Sequence, residues 1–121
     1  MRPAIGAALV AVALAGCAPA GTSGCADVVG VVVAEAGEGV RFDVTVASAD
    51  TGWEKYADLW EVRAPDGTVL GSRILAHPHV DEQPFTRSTV VEVPPDVSVV
   101  EVVARDSVDG FCGASVEVEL P

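Results

Sequence analysis

The clearest pattern along this chain is an alternation of apolar and polar residues, which is typical of β-strands with one buried face. Residues 40–46 place valine or phenylalanine at every even position and charged or hydroxyl side chains between them. The alternation returns over 58–64, where Trp60 and Val62 lie on one face. Both segments therefore predict half-buried strands, and Trp60 is a predicted core residue.

Glycine- and proline-containing turns separate the remaining apolar segments, and no segment shows a helical period. Seven short strands in a chain of this length are the number found in an immunoglobulin-like or fibronectin-III-like β-sandwich. We therefore predict an all-β domain over residues 25–121, with a small closed barrel as the alternative. The predicted strands are 27–35, 40–46, 58–64, 68–76, 89–93, 97–105 and 114–120.

The first sixteen residues have a different character. One early positive charge, Arg2, precedes an apolar run that is too short to span a bilayer, so residues 1–16 are predicted to be a secretory signal. Leu14-Ala15-Gly16-Cys17 resembles the bacterial lipobox, in which a diacylglyceryl group is attached to the cysteine and the signal is cut off before it. The resemblance implies a lipoprotein that carries acyl chains such as palmitate on Cys17 and is stably anchored in a membrane. An ordinary signal with a coincidental cysteine is the alternative.

The residues after Cys17 are small and polar, so 17–24 is predicted to be a flexible tether between lipid and domain. Ala18 follows the cysteine where an aspartate would be a retention signal in Gram-negative lipoproteins. By that resemblance we expect a location in the cell envelope, on the outer membrane facing the periplasm.

Cys25 and Cys112 are the cysteines that remain once Cys17 is lipidated. An even pair in an exported protein predicts a disulfide bond, here between the first and last strands of the domain. In the chain-entropy model, a disulfide that closes a loop of this length stabilises the folded state by about 4–5 kcal/mol. Two free thiols or a thiolate metal site are the alternatives, although a C-x-x-C spacing is missing.

The charge of the chain restricts its partners. Eighteen carboxylates against seven lysines and arginines give a net charge of -11. Nucleic acid is excluded as an expected partner because phosphate binding needs a clustered basic face. The same charge disfavours electrostatic docking on anionic lipid and favours cations or basic proteins, although it also serves solubility alone.

The segment 77–88, His-Pro-His-Val-Asp-Glu-Gln-Pro-Phe-Thr-Arg-Ser, concentrates the groups that can do chemistry. If Leu70 and Ile74 point into the core, alternation directs His77 and His79 outward together. Two imidazoles in an H-x-H pair suit copper, nickel or zinc. The candidate metal ligands are His77, His79, Asp81, Glu82 and Asp109.

A structural role for the same segment is the competing hypothesis. Arg87 would pair with Asp81, Glu82 or Asp106, while Phe85 would close the end of the core. The binding hypothesis makes the segment the predicted contact surface. Its candidate binding residues are Gln83, Phe85, Thr86 and Arg87.

The run from Trp53 through the Asp109-Gly110 turn, with HPHxxEQPFTRS at its centre, resembles a family of small secreted or lipid-anchored bacterial proteins to which no function is assigned. Relatives in that family carry a histidine in the final turn, where this chain has Asp109. The departure implies a weaker three-histidine site, in which Asp109 could still supply an oxygen ligand.

These observations favour a binding or assembly module over an enzyme. No serine lies in a G-x-S-x-G elbow, and no phosphate-binding glycine loop or H-E-x-x-H motif is present. We expect a lipid-anchored, immunoglobulin-like envelope module with an envelope protein as partner and no cofactor. The alternative is a periplasmic binder of copper, nickel or zinc, and a hydrolase is a third hypothesis that lacks a nucleophile setting.

Overall fold

The computed structural model describes residues 11–14 and 24–121, with side chains from residue 24 onward. These residues form eight strands and no helix, so the described part of the chain has no helix that could cross a bilayer. The all-β prediction is confirmed. In chain order the strands are β1 (Ala11–Leu14), β2 (Asp27–Ala36), β3 (Gly39–Ala47), β4 (Ala57–Arg63), β5 (Val69–Ile74), β6 (Phe85–Val91), β7 (Val99–Asp106) and β8 (Val116–Glu119).

The strands form two antiparallel four-stranded sheets. The first sheet has the order β1-β2-β3-β6 and the second has the order β5-β4-β7-β8. The two sheets are separate and enclose the buried residues between them, so the layered arrangement is observed and the closed barrel is not. Seven of the eight strands correspond to the seven predicted ones, with shifts at their ends.

The core between the sheets follows directly from the alternation in the sequence. Phe42, Val44 and Val46 of β3 and Trp60 and Val62 of β4 are all 0% exposed. Burying a side chain of this size contributes roughly 1.5–3 kcal/mol. The period-two pattern of these two strands therefore places the largest apolar groups in one shared layer.

Strand β6 begins four residues earlier than predicted. Residues 85–88 pair with β3, with Phe85 opposite Val46 and Ser88 opposite Asp43. Phe85 is buried and Thr86 is exposed, which is the alternation of a strand. In the segment 77–88, residues 77–84 therefore belong to the loop and residues 85–88 form the first half of β6. Pro84 is the last residue of the loop, immediately before Phe85.

The predicted outward direction is wrong for His79, whereas His77 is exposed as predicted. Ile74 is 64% exposed, whereas Leu75 is 2% exposed and His79 is 4% exposed. Strand β5 ends at Ile74, so the alternation does not continue through Leu75 into the loop. Of the two residues expected to face inward, only Leu70 packs against the core.

The predicted disulfide bond is confirmed, with the Cα atoms of Cys25 and Cys112 5.5 Å apart. Both cysteines lie just before a strand, β2 and β8 respectively, and not within the strands themselves. Gly113 follows Cys112 and passes so close to the Ala26 carbonyl that a Cβ atom would overlap the backbone. The disulfide and this close approach together fix the start of the domain against its last loop.

Strand β1 falls inside the segment predicted to be a secretory signal. Its four residues pair with β2, with Ala11 opposite Val33 and Leu14 opposite Gly30. The predicted lipidation at Cys17 and the predicted tether up to residue 23 lie outside the described residues.

Three connections meet at one end of the sandwich, and we call this the loop end: residues 48–56, 75–84 and 107–115. Hydrogen bonds join them, from His79 N to Asp50, from Gln83 to Ser48 and from Lys55 to Asp106. The described domain also starts at this end, since the Gly24 carbonyl accepts a hydrogen bond from Lys55.

Candidate functional site

The carboxylate of Asp50 organises the loop end. It is 9% exposed and accepts hydrogen bonds from the backbone N–H groups of His79, at 2.8 Å, and Ala57, at 2.9 Å. The Ser48 hydroxyl donates a third hydrogen bond, at 2.7 Å. One side chain therefore holds the histidine loop against the start of β4. A buried carboxylate without hydrogen-bond donors would destabilise the fold. The position of the Asp50 side chain therefore depends on all three donors.

Gln83 adds a second connection between the same two loops. Its amide nitrogen donates to the His79 carbonyl at 3.0 Å and to the Ser48 hydroxyl at 3.1 Å. Its amide oxygen accepts from the Ser48 backbone N–H at 2.8 Å. The side chain of Gln83, predicted as a binding residue, thus has its polar atoms engaged within the loop end.

The aromatic rings of this region form a column. His79 stacks on Phe85 with ring centroids 3.9 Å apart and planes 9° apart. The ring of His77 lies 4.6 Å from that of His79, with the planes tilted by 36°. The Arg87 guanidinium completes the group, 5.6 Å from the centre of the Phe85 ring. Phe85 therefore belongs to the core and also supports the histidine above it, as the structural hypothesis expected.

Arg87 determines which ring nitrogen of the neutral His79 carries the proton. Its Nη2 lies 2.9 Å from His79 Nε2, and because a guanidinium can only donate, Nε2 must be the acceptor. The proton of the neutral ring is then on Nδ1. The same guanidinium nitrogen donates to Glu82 at 3.2 Å, which is one of the pairings predicted for Arg87.

The pKa of His79 lies below its ordinary value of 6.5. The main cause is burial, which disfavours the charged imidazolium, and the positive charge of Arg87 acts in the same direction. The nearby carboxylates of Glu82 and Asp50 oppose the shift without overcoming it. His79 is consequently a neutral imidazole at pH 7.

This geometry does not support a metal site on the two histidines. His79 Nε2 is occupied by Arg87, and its Nδ1 is buried. His77 Nδ1 lies 2.9 Å from the Pro78 carbonyl, within its own loop. No group of three or more His, Cys, Asp or Glu side chains able to hold a metal ion occurs in the described part of the chain.

Asp109 does not join the histidines, contrary to prediction. Its carboxylate binds the Lys55 ammonium at 2.8 Å. Lys55 also binds the fully buried carboxylate of Asp106, at 2.7 Å, and the Gly24 carbonyl, at 2.6 Å. The hydrogen bond that Lys55 donates to Asp106 is the main cause that raises the pKa of Lys55. This cluster holds the start of the domain against the last loop.

The outward surface of the loop end is apolar and acidic. Trp53, Val80 and Val108 are 68%, 50% and 62% exposed, one from each connection. Exposed carboxylates lie within two positions of them in the sequence. These are Glu54, Asp81, Glu82 and Asp109.

The predicted site residues therefore divide into two groups. Gln83, Phe85 and Arg87 support the loop through the contacts described above, although Gln83 is itself exposed, while Asp81, Glu82 and Thr86 are exposed. Asp50 was not predicted, because a single aspartate in a connection has no distinctive pattern in the sequence. Asp50 and His79 are also 29 positions apart in the sequence, so no local pattern indicates their contact.

No family model matches the chain, and no solved structure matches it. A protein of Halomicrobium mukohataei with the provisional name lipoprotein is 40% identical to this chain over 95 residues. The match covers 78% of this chain and 47% of that protein, so the chain spans about half the length of the curated relative.

Proposed function

We propose that this protein is a lipid-anchored domain of the cell envelope that binds a partner through its loop end, and that it is not an enzyme. The lipobox-like Leu14-Ala15-Gly16-Cys17 supports the anchor. Similarity to a protein provisionally named a lipoprotein supports it independently. Attachment through acyl chains on Cys17 would be stable because each buried methylene contributes about 0.8 kcal/mol.

The fold we propose for the mature domain is fibronectin-III-like. Without β1, the first sheet has the order β2-β3-β6 and the second has the order β5-β4-β7-β8. This division of seven strands into three and four, with antiparallel neighbours throughout, supports an immunoglobulin-related sandwich. In such sandwiches the connections at one end commonly form the contact surface.

The observation that carries the binding function is the internal bracing of the loop end. Asp50 fixes two backbone segments, and Gln83 joins the same two loops again. A surface held in advance loses little conformational entropy when a partner binds. Exposed Trp53 and Val80 on this braced framework are suitable anchors, since large apolar side chains dominate the energy of most interfaces.

The charge of the loop end indicates the chemistry of the partner. The exposed carboxylates of Glu54, Asp81, Glu82 and Asp109 are close in sequence to the apolar residues. Charge complementarity accelerates association and excludes partners of the same sign. We therefore propose a protein partner with a basic surface and an apolar recess.

We further propose that this partner lies near the membrane. Six residues, 18–23, lie between Cys17 and Gly24, and even a fully extended chain from Cys17 to Gly24 spans at most about 25 Å. Because Gly24 lies at the loop end, the contact surface would face the membrane from which the domain is suspended. Ala18 favours the outer membrane, and membrane fractionation tests that choice.

Site-specific crosslinking tests the binding function. A photoreactive residue at position 80, in the loop end, should give discrete adducts with envelope protein, and Asp81→Arg should reduce them because it reverses a charge beside the contact. The matched control is position 90, where Val90 is similarly exposed, at 55%, on strand β6. Identical adducts at positions 80 and 90, or adducts unaffected by Asp81→Arg, would contradict the proposal.

The mass of the protein extracted from the producing cell tests the anchor separately. We expect a chain that begins at Cys17 and carries the added mass of the acyl chains. A chain that begins elsewhere, or one without acyl mass, would remove the lipid anchor and leave the binding hypothesis to the crosslinking result.

A further inference from the structure

Strand β1 covers an edge of the domain. It pairs with β2 in antiparallel register over four positions, from Ala11 opposite Val33 to Leu14 opposite Gly30. It also lies against β8, which is the edge strand of the second sheet. The strand therefore occupies the flank where both sheets end, and β2 has its other partner, β3, on the far side.

Processing would remove this cover. The residues of β1 precede Cys17, and a chain cut before Cys17 lacks them. This step rests on the lipid anchoring proposed above. Strand β2 then becomes the edge of the first sheet, with backbone N–H and C=O groups that no neighbouring strand pairs on one side.

The sequence of β2 is suited to accept another strand. Residues 28–34 read Val-Val-Gly-Val-Val-Val-Ala, with no charge and no proline. Natural sheets usually protect an edge with lysine, proline or an inward charge, and this stretch has none of them. β-Branched residues also favour the extended conformation that strand pairing requires.

We propose that the mature domain binds an extended, uncharged segment of another protein along β2, in the place that β1 occupies in the unprocessed chain. The chemistry of the segment follows from β1, whose sequence Ala-Val-Ala-Leu is small and apolar. Recognition is by strand addition, in which main-chain hydrogen bonds supply affinity and alternate side chains supply specificity.

A second copy of this chain is a poorer occupant of the same edge. Antiparallel pairing of two β2 strands about Val31 would bring Asp27 of one copy opposite Glu35 of the other. Like charges at directly opposed positions destabilise a sheet. A segment with neutral ends avoids this repulsion.

Amide hydrogen exchange measured by mass spectrometry tests the proposal on two forms of the full-length gene product. One is the processed protein extracted from the membrane, and the other is the unprocessed chain preserved by Cys17→Ser. Within 28–34, about two of the amides of residues 30–33 should exchange at least ~10-fold faster in the processed protein, because alternate residues of these four paired positions face the lost strand. Exchange over β4 should be equal in both forms.

A peptide with the sequence of residues 10–15 provides the binding test. It should restore the protection of 28–34 in the processed protein. The same peptide with Val12→Pro and Ala13→Pro should not, because proline has no N–H to donate. This control peptide has the same length as the first peptide and is also uncharged.

The outcomes are distinct. Equal protection of 28–34 in both forms, or equal action of the two peptides, would overturn strand addition while leaving the anchor intact. A processed dimer that dissociates when the peptide is added would show that a second copy is the occupant and would overturn the proposal. If the measured mass still includes residues 1–16, it would contradict both the lipid anchor and the open edge of β2.

Discussion

At the scale of single residues, Asp50 has the largest expected effect on the loop end. Asp50→Asn keeps the size of the side chain but replaces one acceptor oxygen with a donor, which would face a backbone N–H. We expect a loss of about 1–3 kcal/mol in the free energy of unfolding, measured by urea denaturation. The matched control is Asp66→Asn, since Asp66 also accepts from a backbone N–H, that of Thr68, but is exposed. Equal losses in the two variants would contradict the role assigned to Asp50.

His79 should make stability depend on pH in a defined direction. Its pKa in the folded protein is lowered from 6.5, so below pH 6.5 the unfolded chain binds more protons at this residue than the folded one. The folded state therefore loses stability as the pH falls through 6.5 toward the lower folded pKa, and its full contribution is present above 6.5. Thermal unfolding between pH 7.5 and 5 should show this loss.

The control for that titration is His79→Gln, which keeps a polar side chain without an ionisable group. Its stability should change less than that of the wild-type protein over the same interval. Asp43 and Asp106, whose pKa values are lowered from 3.8, act at more acidic pH and do not interfere. A variant with the same pH dependence as the wild type would show that His79 is not responsible.

The sequence predicted part of this site correctly. Phe85 closes the core, and Arg87 pairs with Glu82, because a buried aromatic and an opposite charge nearby are local features. The direction of His79 was wrong because it was extrapolated from strand alternation beyond the end of β5. Asp50 could not be found, since its importance arises from a contact between two connections that are distant in sequence.

At the scale of strands and turns, Gly113 is the most constrained backbone position. A Cβ atom there would overlap the Ala26 carbonyl, and the disulfide at Cys112 prevents the two segments from separating. We expect Gly113→Ala to cost at least about 3 kcal/mol of stability, at the upper end of overpacking effects. Gly37→Ala is the control, because Gly37 has φ of +62° with no atom near its Cβ position, and its cost should be about 1 kcal/mol. Calorimetry showing equal costs would contradict the close approach.

The strands themselves were largely predictable, for a physical reason. A strand with one buried face must alternate apolar and polar residues, and the sequences of β3 and β4 show this alternation. Two elements were missed. The start of β6 follows two prolines and was attributed to the loop, and β1 lies in an apolar run whose features are those of a secretory signal.

At the scale of the whole molecule, the net charge of -11 should make stability increase with salt. Repulsion among carboxylates opposes the compact state, and ions screen it over about 8–10 Å at physiological strength. We expect the Tm to rise between about 10 and 150 mM sodium chloride. The ion pairs formed by Lys55 and Arg105 act in the opposite direction, so a Tm that falls with salt would show that they outweigh the repulsion.

The central claim is that the loop end is held in its binding conformation before any partner arrives. Amide hydrogen exchange of the free protein by NMR tests it most directly, at the two N–H groups that donate to Asp50, those of His79 and Ala57. His79, although it lies in a loop, should exchange as slowly as Ala57 at the start of β4, and Asp50→Asn should accelerate both. Exchange of His79 at the rate of an unstructured peptide, while Ala57 remains protected, would contradict it.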